Sequence, residues 1–305
     1  MFEMKRDCKR IGYGLWLLII IQLSAGFLIG FFAKSMTAIN WLSILISIVS
    51  MVIAYIYLKK SCNLELKCTN HPFSKKIYLY SFLFILAINL LNGIFLNVME
   101  NVFNIYTDTS DILLSDNVWQ NIAIYISALI IAPIFEELLF RGAILRILDR
   151  YNRFFAIFTS SFLFALLHMD VTQFFFTFFL GFLMAYLSLK YDSMKINIGI
   201  HFLNNAWAVL ITVIYYYGSY DMISIVDGMI SLLMIAGCMY CVYKGKQFLN
   251  SLNIAPVSED LIKYTFFNIP MILFWVLCIF SMISTMLFGY WHKKTRFLNL
   301  VFLSV

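Results

Sequence analysis

Charge is scarce in this chain. Only 12% of its 305 residues are charged, while 62% are hydrophobic. A soluble domain carries about 25% charged residues, so most of this surface must face lipid. The net charge of +6 is modest and sits at the ends of apolar segments, so it speaks to membrane topology and not to a nucleic-acid partner. No internal repeat and no low-complexity tract interrupts the chain. The segments Lys59–Lys76 and Met99–Asn117 are too short to fold as domains. The first apolar run is too long for a signal peptide and shows no small-residue cleavage pattern. The cysteines Cys8, Cys62, Cys68, Cys238, Cys241 and Cys278 form no ligand set; Cys238 and Cys241 make a CxxC, but inside an apolar segment, where thiols act as small hydrophobes.

What is present is a series of apolar runs. About 20 such residues cross a bilayer as a helix, and the dominance of Ile, Leu and Phe argues for helices over the alternating strands of a barrel. Candidate spans are Ile11–Ala33, Ile39–Leu58, Ile77–Val98, Val118 to beyond Phe140, Phe154–Met169, Val171–Leu189, Ile196–Tyr217, Met222–Tyr243 and Phe266–Tyr290. The expected fold is all-α, a polytopic transmembrane helical bundle of eight or nine spans. Lys5, Arg6, Lys9, Arg10, Lys59, Lys60, Lys67, Lys75, Lys76, Arg146, Arg150, Arg153, Lys190, Lys195, Lys244, Lys246 and Lys263 all fall on one side. The positive-inside rule makes that side cytoplasmic, with the N-terminus inside a plasma membrane. Glu100, Asp108, Asp111, Asp116, Asp170 and Asp221 fall on the other. Lys293, Lys294 and Arg296 conflict with this scheme if a ninth span crosses.

Three apolar runs are broken by polar residues: Glu136, Glu137 and Arg141 in one, His168 in the next, His201 and Asn205 in a third. Ionisable groups in spans need partners or water, so one site built from three helices is expected. Glu137 and Arg141, at i and i+4, share a face and can pair; Glu136 points about 100° away. If the fourth span stays helical to Asp149, Glu136 lies roughly 20 Å above its end and His168 roughly 22 Å above Arg153, so the motifs meet at one depth. A glutamate held from bulk water suits general-base work. His168 can help hold and activate water. His201 and Asn205 can donate to a developing oxyanion. No serine or cysteine has a comparably placed partner, so the inventory is that of water attacking an acyl group, most naturally a peptide bond.

Glu-Glu-x-x-x-Arg, Phe-x-x-x-His and His-x-x-x-Asn, in that order, resemble the motifs of the CPBP (Abi, CAAX prenyl protease-like) family of intramembrane proteases. The resemblance covers roughly 118–217, which would be the catalytic core, flanked by transmembrane helices in 1–117 and 218–305 that carry no family motif. It implies Glu136, Glu137, His168, His201 and Asn205 as the catalytic set, Arg141 as a structural partner, and a peptide or lipidated protein as substrate in the bilayer. Members have been described both as metalloproteases and as enzymes that use glutamate-activated water. If zinc takes part, His168 and His201 are its expected ligands. Two other classes fit parts of the pattern: a non-catalytic bacteriocin-immunity or scaffold protein, and a proton-coupled transporter, although no repeat supports the latter.

Overall fold

A computed structural model describes residues 1–65, 69, 71–103, 114–252 and 254–288. The chain is a bundle of helices, with no strand among the described residues. They are α1 (Phe2–Phe32), α2 (Met36–Ser61), α3 (Lys76–Phe103), α4 (Val118–Asp149), α5 (Arg153–Leu167), α6 (Val171–Tyr191), α7 (Met194–Tyr217), α8 (Tyr220–Ser251), α9 (Glu259–Phe266) and α10 (Ile269–Phe288). Most starts are capped by side chains, with Ser35, Asn117, Asn152, Asp170, Ser219 and Ser258 each accepting from a first-turn N–H.

Seven helices are long and apolar enough to cross a membrane, and α9 with α10 makes an eighth candidate bent by 64°. This is a multi-pass membrane protein. The expected span Phe154–Met169 is the 15-residue α5, only about 22 Å long against a hydrocarbon core of about 30 Å. The expected run from Phe266 is also corrected: α9 ends at Phe266 and the chain turns before Ile269. Asn268 accounts for the turn, bonding the Tyr264 carbonyl at 2.9 Å and capping Met271 at 3.1 Å. Lys67, Cys68, Asp108, Asp111, Lys293, Lys294 and Arg296 lie outside the described residues.

The basic ends gather as the sequence implies. Arg150 donates to the carbonyls of Cys62 (2.8 Å) and Asn63 (3.2 Å), and Arg10 to that of Ser61. Asp7, 2% exposed, accepts from the Tyr151 hydroxyl at 2.8 Å and is ringed by Arg6, Arg10 and Arg150. Burial and this bond to Asp7 push the Tyr151 phenol up, so it stays a donor. Asp192, in the left-handed region at φ 45°, accepts from the backbone and hydroxyl of Thr69 and pairs with Arg146 at 2.6 Å.

α4 runs through the middle, packed on α2, α5 and α7. Its lower half, Leu139 to Leu148, is sealed apart from Arg146. The outer shell is different: α8 buries only Gly237, whose missing side chain lets the helix approach the α3 backbone, since a Cβ there would stand 2.4 Å from the Leu83 carbonyl. Its exposed Ile, Leu, Met and Val side chains are what a lipid-facing helix requires.

Candidate active site

α4 is helical to Asp149, so the three motifs do meet at one depth. Two π-turns, Ser127–Ile131 and Phe140–Ile144, bracket the glutamates. Such turns are frequent at functional sites, and in each a side chain of another helix donates to one carbonyl.

Pro133 explains the first. Ser127 O takes the N–H of Ala132, so the next carbonyl, Ala128, falls to residue 133, a proline without N–H. The Asn205 amide of α7 replaces that donor, reaching the Ala128 carbonyl at 2.7 Å. In the second turn the Phe140 carbonyl accepts from the backbone of Leu145 and from the Ser160 hydroxyl of α5 at 3.3 Å.

Between these turns lies a sealed polar network. Glu136 is 1% exposed; Glu137 and Arg141 are fully buried, so the pair is shielded from water by the surrounding helices. Glu137 Oε1 accepts from Arg141 Nη1 at 2.9 Å and from His201 Nδ1 at 3.0 Å. Arg141 Nη2 donates to the Gly181 carbonyl at 3.2 Å, and its guanidinium lies 4.4 Å from the Phe164 ring centroid. Gly181 leaves room for this approach, because a Cβ would sit a tight 3.1 Å from Nη2 and 3.2 Å from the Phe164 ring. Thus the i,i+4 pair expected from sequence forms, and Glu137 is also shared with His201.

His168 caps α5. Its Nδ1 lies 2.8 Å from the Phe164 carbonyl; a carbonyl only accepts, so Nδ1 carries the proton and Nε2 is left with its lone pair. Phe164 therefore serves His168 with its backbone and Arg141 with its ring, and its edge also meets His168 (4.9 Å) and His201 (6.1 Å). That dual service is a physical reason for the Phe-x-x-x-His spacing.

Glu136 stands apart. Neither carboxylate oxygen has a hydrogen-bond partner among the described residues; His201 Nε2 lies 3.8 Å from Oε2. The structure thus gathers Glu136, Glu137, Arg141, His168 and His201 around Phe164. Asn205 is one turn above His201 on the same face, with its amide committed to α4 and its oxygen accepting from Asn204 at 3.0 Å.

The donor set bears on whether a metal could be held here. Both histidines present a free Nε2 with Nδ1 anchored on oxygen, as metal-bound imidazoles do. Yet no three His, Cys, Asp or Glu among the described residues come together as ligands. Among the described residues, then, the two histidines lack the further ligands that a protein zinc site takes.

Sequence reasoning passed over Phe164 as a guanidinium platform, Gly181, Ser160 and Pro133. Pro133 was the readable signal: a proline inside an apolar span leaves a carbonyl that another helix must satisfy.

No curated protein and no solved structure matches the chain. Residues 118–207, which hold every residue of this network, are similar to the family described as type II CAAX prenyl endopeptidase Rce1-like, a likeness that covers this part of the chain.

Proposed function

We propose that the protein is an intramembrane endopeptidase in which Glu136 activates the attacking water. The observation that carries this reading is the difference between adjacent carboxylates. Glu137 is bonded by Arg141 and His201, while both oxygens of the equally buried Glu136 are free to bind water.

In this reading, water sits between Glu136 and the lone pair of His168 Nε2. Glu136 takes one proton as the water oxygen bonds to the peptide carbonyl carbon. The resulting oxyanion is met by donors: His201 Nε2–H when that ring carries both protons, and the second amide hydrogen of Asn205. Glu136 then hands its proton to the amide nitrogen as the C–N bond breaks, releasing an amine and a carboxylic acid. Glu137 and Arg141 fix the His201 ring.

The basic end is cytoplasmic in a plasma membrane, with the N-terminus inside. Phe140, Ile144, Leu148 and Ile196, all fully buried, close the site on that side. His168 is half-buried at the end of a short helix, so the chain to be cut reaches Glu136 from the other half of the bilayer. Its class is a small membrane-associated or lipidated peptide.

The test is hydrolysis of an internally quenched peptide library, lipidated and unlipidated, by the purified protein in micelles. Glu136→Gln should lower turnover by roughly 10² to 10⁴, the contribution of a general base, with unchanged melting. Cleavage by Glu136→Gln at the parental rate refutes the assignment.

A further inference from the structure

Asn197 belongs to no motif. It is fully buried on α7, and neither its amide nitrogen nor its amide oxygen has a hydrogen-bond partner among the described residues. A buried amide left unpaired is destabilising, and buried polar groups in folded proteins are commonly satisfied by internal water.

Its neighbours are set by the register of α4 and α7, which run antiparallel. Arg146 pairs with Asp192, Gly142 lies against the Met194 side chain, Glu137 bonds His201, and Ala128 bonds Asn205. One helical turn along each antiparallel helix from the Glu137–His201 bond, to residue 141 on α4 and residue 197 on α7, sets Asn197 level with Arg141. Residues 197, 201 and 205 repeat at i, i+4 and i+8, so Asn197 shares the face that carries His201 and Asn205. Two more buried atoms at this level have no partner: Arg141 Nε and Glu137 Oε2.

We propose that Asn197 is a positioning residue that holds a buried water against the Glu137–Arg141 pair. The water accepts from Arg141 Nε–H and from the Asn197 amide, and donates to Glu137 Oε2. Three polar partners are what a buried water takes, and together they satisfy Arg141 Nε, Glu137 Oε2 and the Asn197 amide nitrogen. The pair is thereby anchored on α7 below His201 as well as at it. This does not depend on the peptidase reading.

The test uses the full chain in micelles with ¹⁵N-arginine, the Arg141 Nε–H resonance being assigned by its loss in Arg141→Lys. The expected result is a cross-peak from this proton to long-lived water in the parent. The cross-peak should be lost in Asn197→Leu, or in Asn197→Val if the larger side chain prevents folding, and kept in Asn197→Asp. Glu136→Gln should keep it too, so a failed peptidase assignment leaves this outcome unaffected. No water cross-peak in the parent, or one that persists in the apolar variants, overturns the proposal; Asn197 is then an unpaired core amide, and Asn197→Leu should raise the melting temperature.

Discussion

Replacing Arg141 by alanine should damage the fold far more than replacing Glu136, although the two lie five residues apart and are equally buried. Arg141 holds Glu137 at 2.9 Å, the Gly181 carbonyl at 3.2 Å and the Phe164 face at 4.4 Å. Its removal leaves Glu137 a buried carboxylate with only His201 beside it. Breaking one side of a buried pair costs about 3–5 kcal/mol. At roughly 2–4 °C per kcal/mol, the melting midpoint should fall by roughly 6–20 °C. Glu136→Ala removes a carboxylate whose oxygens have no hydrogen-bond partner, so it should leave the midpoint unchanged or raise it. Arg141→Lys, which keeps the charge but not the fork, should fall between. The assay is thermal unfolding of the three purified variants in one detergent. Parental melting of Arg141→Ala, or an equal loss in Glu136→Ala, would refute the assignment of structural work to one and not the other.

Asn205→Ala should cost about 1–3 kcal/mol by stranding the Ala128 carbonyl. Adding Pro133→Ala, which returns a backbone donor, should recover part of that stability; simple additivity in the double variant would show that Asn205 does not stand in for the missing N–H. Gly181→Ala should cost about 1–3 kcal/mol through overpacking by pushing on Arg141 and Phe164, and parental melting would contradict the contact. Asp192 gives a pH test. Burial alone would raise its carboxyl, but the Thr69 bonds and Arg146 hold it below the ordinary value. A depressed folded value means its stabilisation is present above the unfolded value of about 3.9 and is lost as pH falls through the lower folded one. Asp192→Asn should therefore flatten the acid limb of a stability–pH curve, and an unchanged limb would remove Asp192 from it.

Much of the architecture is written in the apolar runs, because in lipid only helices satisfy their own backbone. The Glu137–Arg141 pair was equally readable, being local to one helix. What spacing does not carry is the tertiary half of each contact. Nothing near Glu137 names His201, 64 positions away, as its second partner. Helix length is another loss: α5 stops at Leu167 because His168 closes it and Met169 turns left-handed at φ 52°, while hydropathy runs on. The π-turns escape a 3.6-residue template, although Pro133 marks one of them.

The knot around Asp7 bears on how the chain is made. Tyr151 is 144 residues downstream of Asp7, and Thr265, the hydroxyl 3.2 Å from the Cys8 thiol, is 257 residues downstream of that cysteine. At about 5–20 residues per second of synthesis, Asp7 waits on the order of 7–30 s for Tyr151. Through that interval only Arg6 and Arg10, its neighbours in sequence, can balance its charge. Asp7 therefore gains its hydroxyl partner only after α2, α3 and α4 have been made, and the foot of α1 receives Thr265 later still.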